Sequence, residues 1–292
     1  MGLESIHEQA LGAKEARRIS HVDLAKLYCF VKKGGNLDFV KTKLEGSRFE
    51  IALNRPEKRN AFHPEMIKEI TQSFREAGAS GAKYVYLYGE GKSFCSGGDL
   101  EWMKSMKDYS LSENRQDSEE LFDMFQAGYE LDLPIIGKVH GHVMGGALGL
   151  VSICDVVAAE LQTLFCFSEV KWGLVPAVIS PFVTRKMHKS RADQLMLTAK
   201  VFSSEEALES GLIHFKGDAP QMNHFLEEQF QLLDQAAPEA LKATKNLLKR
   251  VENFDVFSLK QATAQVIAER RVSPEGQKGL QFFIDKQKPQ WN

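Results

Sequence analysis

Two short runs of β-forming residues constrain this chain most, because each empties into glycines and then into a helical pattern. Residues 84–88 (YVYLY) precede a glycine loop at 89–98. Residues 134–139 (PIIGKV) precede a glycine turn at 140–146 and an apolar helix at 147–154. A β run that is apolar throughout, instead of alternating, is the mark of a strand covered on both faces. Strands followed by helices in this way predict a mostly parallel sheet with helices packed on it.

The rest of the chain extends that pattern. Residues 44–53 (LEGSRFEIAL) read as a hairpin, and Asn54-Arg55-Pro56 ends it. Pro64, with Met66, Ile67, Ile70 and Phe74 at helical spacing, opens an amphipathic helix. A polar helix is expected over 112–131, and further strands over 156–159 and 164–167. Beyond Pro181 the pattern turns helical. Ser203 with Glu206 forms a capping box and Gly211 a stop, followed by helices at 238–251, 259–271 and 278–286. The expectation is an α/β core over 37–205 and a helical C-terminal region over 206–292.

Charge and cysteine content exclude several functions. Among 292 residues, 37 basic side chains nearly balance 39 acidic ones, for a net charge of −2. That gives no general attraction to nucleic acid or to an anionic membrane. The longest apolar stretch, 143–154, contains three glycines and falls short of the roughly 18–20 residues that span a bilayer. Cys29, Cys95, Cys154 and Cys166 are scattered, with no CxxC pair and no Cys/His cluster. Reduced thiols in a cytoplasmic protein, and no metal site, are expected.

Residues 1–36 differ in composition. They are charged, only weakly periodic, and lack the basic and apolar regions of a secretory signal. Glu4, Glu8, Glu15 and Asp23 also argue against a transit peptide. The segment reads as an extension that is disordered or a translated leader. Lys33-Gly34-Gly35 is encodable by a purine-rich ribosome-binding sequence, with Leu37 in place for a start codon.

Chemistry is concentrated in three places. Ser93-Phe94-Cys95-Ser96-Gly97-Gly98-Asp99-Leu100 and Gly141-His142-Val143-Met144-Gly145-Gly146-Ala147 are glycine turns that let a ligand approach the backbone. Two such turns converging on one carbonyl oxygen make an oxyanion hole. The third is Ser168-Glu169-Val170, where a carboxylate follows an apolar run and is suited to proton transfer.

The ordered set Arg55-Pro56-x-x-x-Asn60-Ala61, Phe94-x-Ser96-Gly97-Gly98-Asp99-Leu100, His140-Gly141-x-x-x-Gly145-Gly146, Cys154-Asp155 and Ser168-Glu169-Val170-x-x-Gly173-Leu174-x-Pro176 resembles the crotonase (enoyl-CoA hydratase/isomerase) superfamily. The resemblance runs from about Leu37 to Asn292. It implies a crotonase-like ββα spiral core with a helical C-terminal trimerisation region. It also implies an acyl-CoA substrate and a homo-trimer or dimer of trimers, with no cofactor beyond the CoA of the substrate itself. The N–H groups of Gly98 and Gly146 would hold the thioester carbonyl. Arg59, Ala61, Ser96, Asp99 and Leu100 would flank the CoA, with Lys286 approaching its phosphates. Glu169 matches one of two glutamates usual in hydratases; the other falls on Gly149. Position 149 lies about one helical turn past Gly146, so it is expected to face the same pocket.

Residues 145–152 and 168–181 look like the bacterial methylglutaconyl-CoA hydratases of leucine breakdown. The implied activity is therefore water addition to, or loss across, a 2-enoyl-CoA such as 3-methylglutaconyl-CoA. Glu169 alone suffices if the water's own proton is returned to Cα; otherwise His142, Asp117 or Glu119 must help. Lys104, Arg115, His142 and Lys171 are candidates to meet the substrate's distal carboxylate. A Δ3-Δ2-enoyl-CoA isomerase using Glu169 alone and a non-catalytic crotonase-fold binding protein are the alternatives.

Overall fold

The computed structural model describes residues 37–251 and 259–291. The expectations for residues 1–36, and for Cys29 with them, lie outside the described residues.

The chain opens with the expected hairpin, β1 (Val40–Glu45) and β2 (Arg48–Leu53), turning at Gly46 with φ 60°. β3 (Tyr84–Gly89), β4 (Ile135–Val139), β6 (Val156–Glu160) and β9 (Phe215–Gly217) then add in parallel. The result is a six-stranded sheet in the order β1-β2-β3-β4-β6-β9. A second sheet joins β5 (His142–Met144), β7 (Leu164–Cys166) and β8 (Phe202–Ser203).

The continuous run 84–88 is explained by burial on both faces. Val85 and Leu87 enter the main core, where the apolar stripe of α1 (Pro64–Ala79), namely Met66, Ile67, Ile70 and Phe74, also lies. Tyr84 and Tyr86 point the other way. Their rings lie 5.6 and 5.1 Å from that of Phe230 on α8 (Ala219–Gln235). Met222 and Leu226 of the same helix complete this second layer against Ile136 and Ala158.

α2 (Leu100–Ser105), α3 (Leu111–Glu130), α4 (Ala147–Ile153), α5 (Ser180–Lys186) and α6 (Lys189–Thr198) precede α7 (Ser204–Glu209). The predicted capping box is present: Ser203 Oγ accepts from Glu206 N, and Glu206 reaches back to Ser203 N. Gly211 follows at φ 79°. α9 (Pro238–Val251), α10 (Lys260–Val272) and α11 (Pro274–Ile284) close the chain. The described residues form a single unit. The expected division at 205/206 falls inside α7, and β9 beyond it completes the main sheet.

Three local readings change. The glycine turn at 140–146 contains a strand, β5, because its three residues pair in parallel with Leu164, Phe165 and Cys166. The last helix begins at Pro274, not 278, since Ser273 Oγ caps Gly276 N at 3.0 Å and proline fits the first turn. The helix over 219–235 carries a legible start signal that went unread, an Asp218–Gln221 capping box with Pro220 inside it.

Candidate active site

Backbone pairing draws the three chemical segments together. Cys95 N donates to His142 O and Met144 N to Cys95 O, both at 3.2 Å, so the first glycine turn runs alongside β5. β5 in turn pairs with β7, placing Met144 opposite Cys166, and Gly145 N donates to Cys166 O at 2.9 Å. Glu169 follows β7 at the start of a short 3-10 turn (Glu169–Trp172), so it arrives beside Gly145. A Cβ added to Gly145 would lie 3.4 Å from Glu169 Oε1.

Glycine is required where the turns touch. Gly97 has φ 95°, and a Cβ on it would stand 3.0 Å from the Met144 carbonyl oxygen. Gly145 has φ 52°. Both conformations belong to the left-handed region that L side chains disfavour. Phe62 fastens the two turns. Its N–H donates to Gly97 O at 2.7 Å and its carbonyl accepts from Asp99 N at 2.8 Å, while its ring abuts Gly146. Among the described residues, neither Gly98 N–H nor Gly146 N–H donates to a backbone acceptor.

Glu169 brings an ionisable side chain against the second turn at Gly145. Its Oε2 is buried with no hydrogen-bond partner among the described residues. Burial pushes its carboxyl above the ordinary glutamate value, only partly countered by a backbone N–H. A carboxyl whose charged form is disfavoured by burial is suited to taking up and releasing a proton. Cys95 and Cys154 are different: burial pushes each thiol up to about 12, so neither is a nucleophile at neutral pH.

The remaining predicted residues have varied surroundings. Ala61 is buried, Ser96 half-buried, and Arg59 exposed in the left-handed region at φ 52°. Leu100 is 74% exposed at the start of α2. Asp99 is buried and fully engaged: its carboxylate caps Glu101 N at 2.7 Å and meets Arg55 Nη1 at 2.6 Å. Burial alone would push that carboxyl up, but the capped amides and the guanidinium outweigh it and hold it below the ordinary aspartate range. Lys286 lies past α11, exposed, and its described hydrogen bond is local, from its N–H to Phe283 O.

The candidate helpers and cations are mostly engaged elsewhere. Asp117 accepts from Trp102 Nε1 at 3.1 Å, Glu119 pairs with Arg115 on the exposed surface of α3, and His142 Nδ1 lies 3.3 Å from Ser93 Oγ. Lys104 is exposed on α2, and Lys171 is exposed within the turn that carries Glu169.

Position 149 contradicts its expected orientation toward open pocket space. A Cβ there would lie 2.6 Å from Phe125 Cε1 and 2.7 Å from Ile179 Cγ2. The place is filled by apolar side chains from α3 and from the segment before α5, which no local spacing reveals. Sequence reasoning also missed Asn60 as the clamp of the first loop. Its side chain accepts from Arg55 N at 2.7 Å and donates to Glu90 O and Ser93 O, both at 2.9 Å. The Arg55-Pro56-x-x-x-Asn60 spacing was its signal.

Gly146→Pro tests the second donor, with the new ring set against Phe62, whose Cε2 would stand 3.3 Å from a Cβ at 146. The φ of −53° at Gly146 already suits proline, which removes the N–H. Gly146→Pro is expected to lower kcat/KM by about 10²–10³ if that N–H stabilises a developing oxyanion. Steady-state kinetics on a variant with native circular dichroism would check this; ordinary activity would remove Gly146 from the role.

Comparison with known proteins agrees with this geometry. The sequence pattern of the family described as Enoyl-CoA hydratase/isomerase matches residues 44–292. Enoyl-CoA hydratase AKT6-1 of Alternaria alternata is 32% identical over 239 residues, covering 80% of this chain and 77% of the relative. The crystal structure of an enoyl-CoA hydratase from Shewanella pealeana superposes with a TM-score of 0.85 at 34% identity, over 89% of this chain and 99% of that one. AtuE of Pseudomonas aeruginosa superposes at 0.83 with 31% identity, over 86% and 98%. The fold, the paired glycine turns and these similarities together establish that the chain belongs to the enoyl-CoA hydratase/isomerase family.

Proposed function

We propose that the protein is a hydro-lyase that adds water to a 2-enoyl-CoA with Glu169 as its only acid–base group, and that its substrate is 3-methylglutaconyl-CoA. The observation that carries this reading is the single buried, unpartnered carboxylate oxygen of Glu169 beside Gly145. The substrate assignment rests on the likeness of residues 145–152 and 168–181 to bacterial methylglutaconyl-CoA hydratases.

In this mechanism the thioester oxygen accepts hydrogen bonds from Gly98 N–H and Gly146 N–H, which draws electrons from Cβ. The Glu169 carboxylate takes a proton from water as the oxygen bonds to Cβ. The alkene electron pair moves to the thioester oxygen as an enolate. The enolate then collapses, and the neutral Glu169 returns the same proton to Cα. One O–H bond of water and the C=C π bond break, and one C–O and one C–H bond form. Of the residues suggested for the distal carboxylate, Lys171 is favoured because it shares the Glu169 turn.

The resemblance to the family supports an acyl-CoA bound along Arg59, Ala61, Ser96, Asp99 and Leu100, with Lys286 near its phosphates. It also supports a trimer or dimer of trimers. Leu280, Phe283 and Ile284 of α11 are exposed apolar side chains suited to such an association. No helix among the described residues is long and apolar enough to cross a membrane.

One observation favours a second reading. Phe125 and Ile179 fill the place of a second carboxylate, and a Δ3-Δ2-enoyl-CoA isomerase needs only one base to move one proton. Turnover of 3-methylglutaconyl-CoA, crotonyl-CoA and a 3-enoyl-CoA by the purified protein separates the readings. The proposal expects the highest kcat/KM for 3-methylglutaconyl-CoA. Preference for the 3-enoyl-CoA would establish the isomerase, and no turnover of any would leave a binding protein.

A further inference from the structure

A cavity lies at the opposite end of α4 from the glycine turns. Its volume is about 580 Å³, within the size range of small-molecule sites. One wall is apolar, formed by Pro134, Phe182, Ala240, Leu241 and Leu248. The other carries three lysines, Lys186, Lys245 and Lys249, and among the described lining residues the carboxylate of Asp155.

The lysines are held in place with donor capacity to spare. Lys186 Nζ donates to Cys154 O at 2.6 Å and Asp155 O at 3.1 Å. Lys245 Nζ donates to Leu133 O at 2.8 Å and Asp155 Oδ2 at 2.7 Å. Lys249 Nζ donates to Glu130 O at 3.1 Å and Leu131 O at 3.3 Å. An ammonium has three N–H donors, so each has a third beyond these bonds. Asp155 bonds Ile135 N and Lys245 through Oδ2 and also acts on Lys186 and Lys249, but it carries one negative charge against three ammonium groups. Asp132 and Glu130 act on Lys249 from outside the cavity lining. Burial, with repulsion from Lys245, holds both Lys186 and Lys249 below the ordinary lysine value. Capping of the ends of α3 and α4 accounts for bonds of Lys249 and Lys186, but not for three lysines lining one cavity beside an apolar wall.

We propose that this cavity is a binding site for an amphipathic carboxylate, its head on the lysines and its aliphatic tail along Phe182, Ala240 and Leu241. It is separate from the catalytic pocket. Gly98, Gly146 and Glu169 do not line it, and the seven residues of α4 set its two ends about 10 Å apart. A five-carbon acyl group held at Gly146 does not reach it.

The test is calorimetric titration of the full chain with octanoate, with inorganic phosphate for comparison and saturating crotonyl-CoA as competitor. Saturable octanoate binding is expected, much weaker binding of phosphate, and no displacement by crotonyl-CoA. Lys249→Met is expected to weaken octanoate at least about tenfold, the loss of one charge-assisted contact. Ala240→Trp is expected to abolish binding by filling the slot. Both variants should keep native Tm and turnover. If Ala240→Trp fails to fold, Lys249→Met decides alone. The proposal is overturned by absence of saturable binding, by phosphate binding as tightly as octanoate, by displacement with crotonyl-CoA, or by unchanged affinity in Lys249→Met.

Discussion

Glu169→Gln is expected to reduce kcat by at least about 10²–10⁴, the range set by a positioned general acid–base group, with little change in acyl-CoA affinity. The amide keeps the shape of the carboxyl but cannot accept water's proton. The same substitution is not expected to lower stability. Burial raises the folded-state pKa of Glu169, so the folded form favours the protonated carboxyl. Its contribution is fully present below the unfolded pKa and is lost as pH rises through the folded one. Above its folded-state pKa the ionised group therefore opposes folding, and there a neutral glutamine should leave Tm equal or higher. The acid limb of kcat/KM for hydration should likewise lie above the ordinary glutamate value and vanish in the variant. Parallel kinetics and thermal unfolding distinguish this from misfolding: near-normal kcat would remove Glu169 from catalysis.

Gly149→Glu carries the second large expectation, and it concerns folding. A Cβ at 149 already overlaps Phe125 and Ile179, at 2.6 and 2.7 Å, before any carboxylate is added. Overpacking of this kind destabilises by about 1–3 kcal/mol, and an unpaired buried charge adds several more. A total of at least about 3 kcal/mol corresponds to a fall in Tm of about 6–12 °C for a chain of this size. Adding Phe125→Ala should recover part of the loss by opening the space. A single variant with native Tm would show that position 149 opens toward the substrate after all.

Phe125 also marks where the sequence stops being informative. The glycine turns and Glu169 were legible because their chemistry is local: close backbone approach needs glycine, and an apolar run delivers the carboxylate. The parallel sheet was legible from the 84–88 run, since burial on two faces leaves no polar alternation. The filling of position 149 was not, because Phe125 and Ile179 come from other elements and meet Gly149 only by tertiary packing. β5 was hidden for the same reason. Three residues between glycines read as a turn until Leu164, Phe165 and Cys166 pair with them. Asp99 has a structural part that the sequence did not show: its carboxylate is committed to Arg55 and to capping α2, partners that only the folded chain brings to it. α8 is another kind of case, for Asp218 and Gln221 announced it locally.

The central claim, that one carboxylate performs both proton transfers, has a direct stereochemical consequence. Glu169 can take a proton from water and return it to Cα only on the face it occupies. Hydration of 3-methylglutaconyl-CoA in D₂O, followed by NMR of the product, reads that geometry. The account predicts a single deuterium at Cα on the same face as the new hydroxyl. Deuterium on the opposite face would require a second proton donor across the substrate and would contradict it.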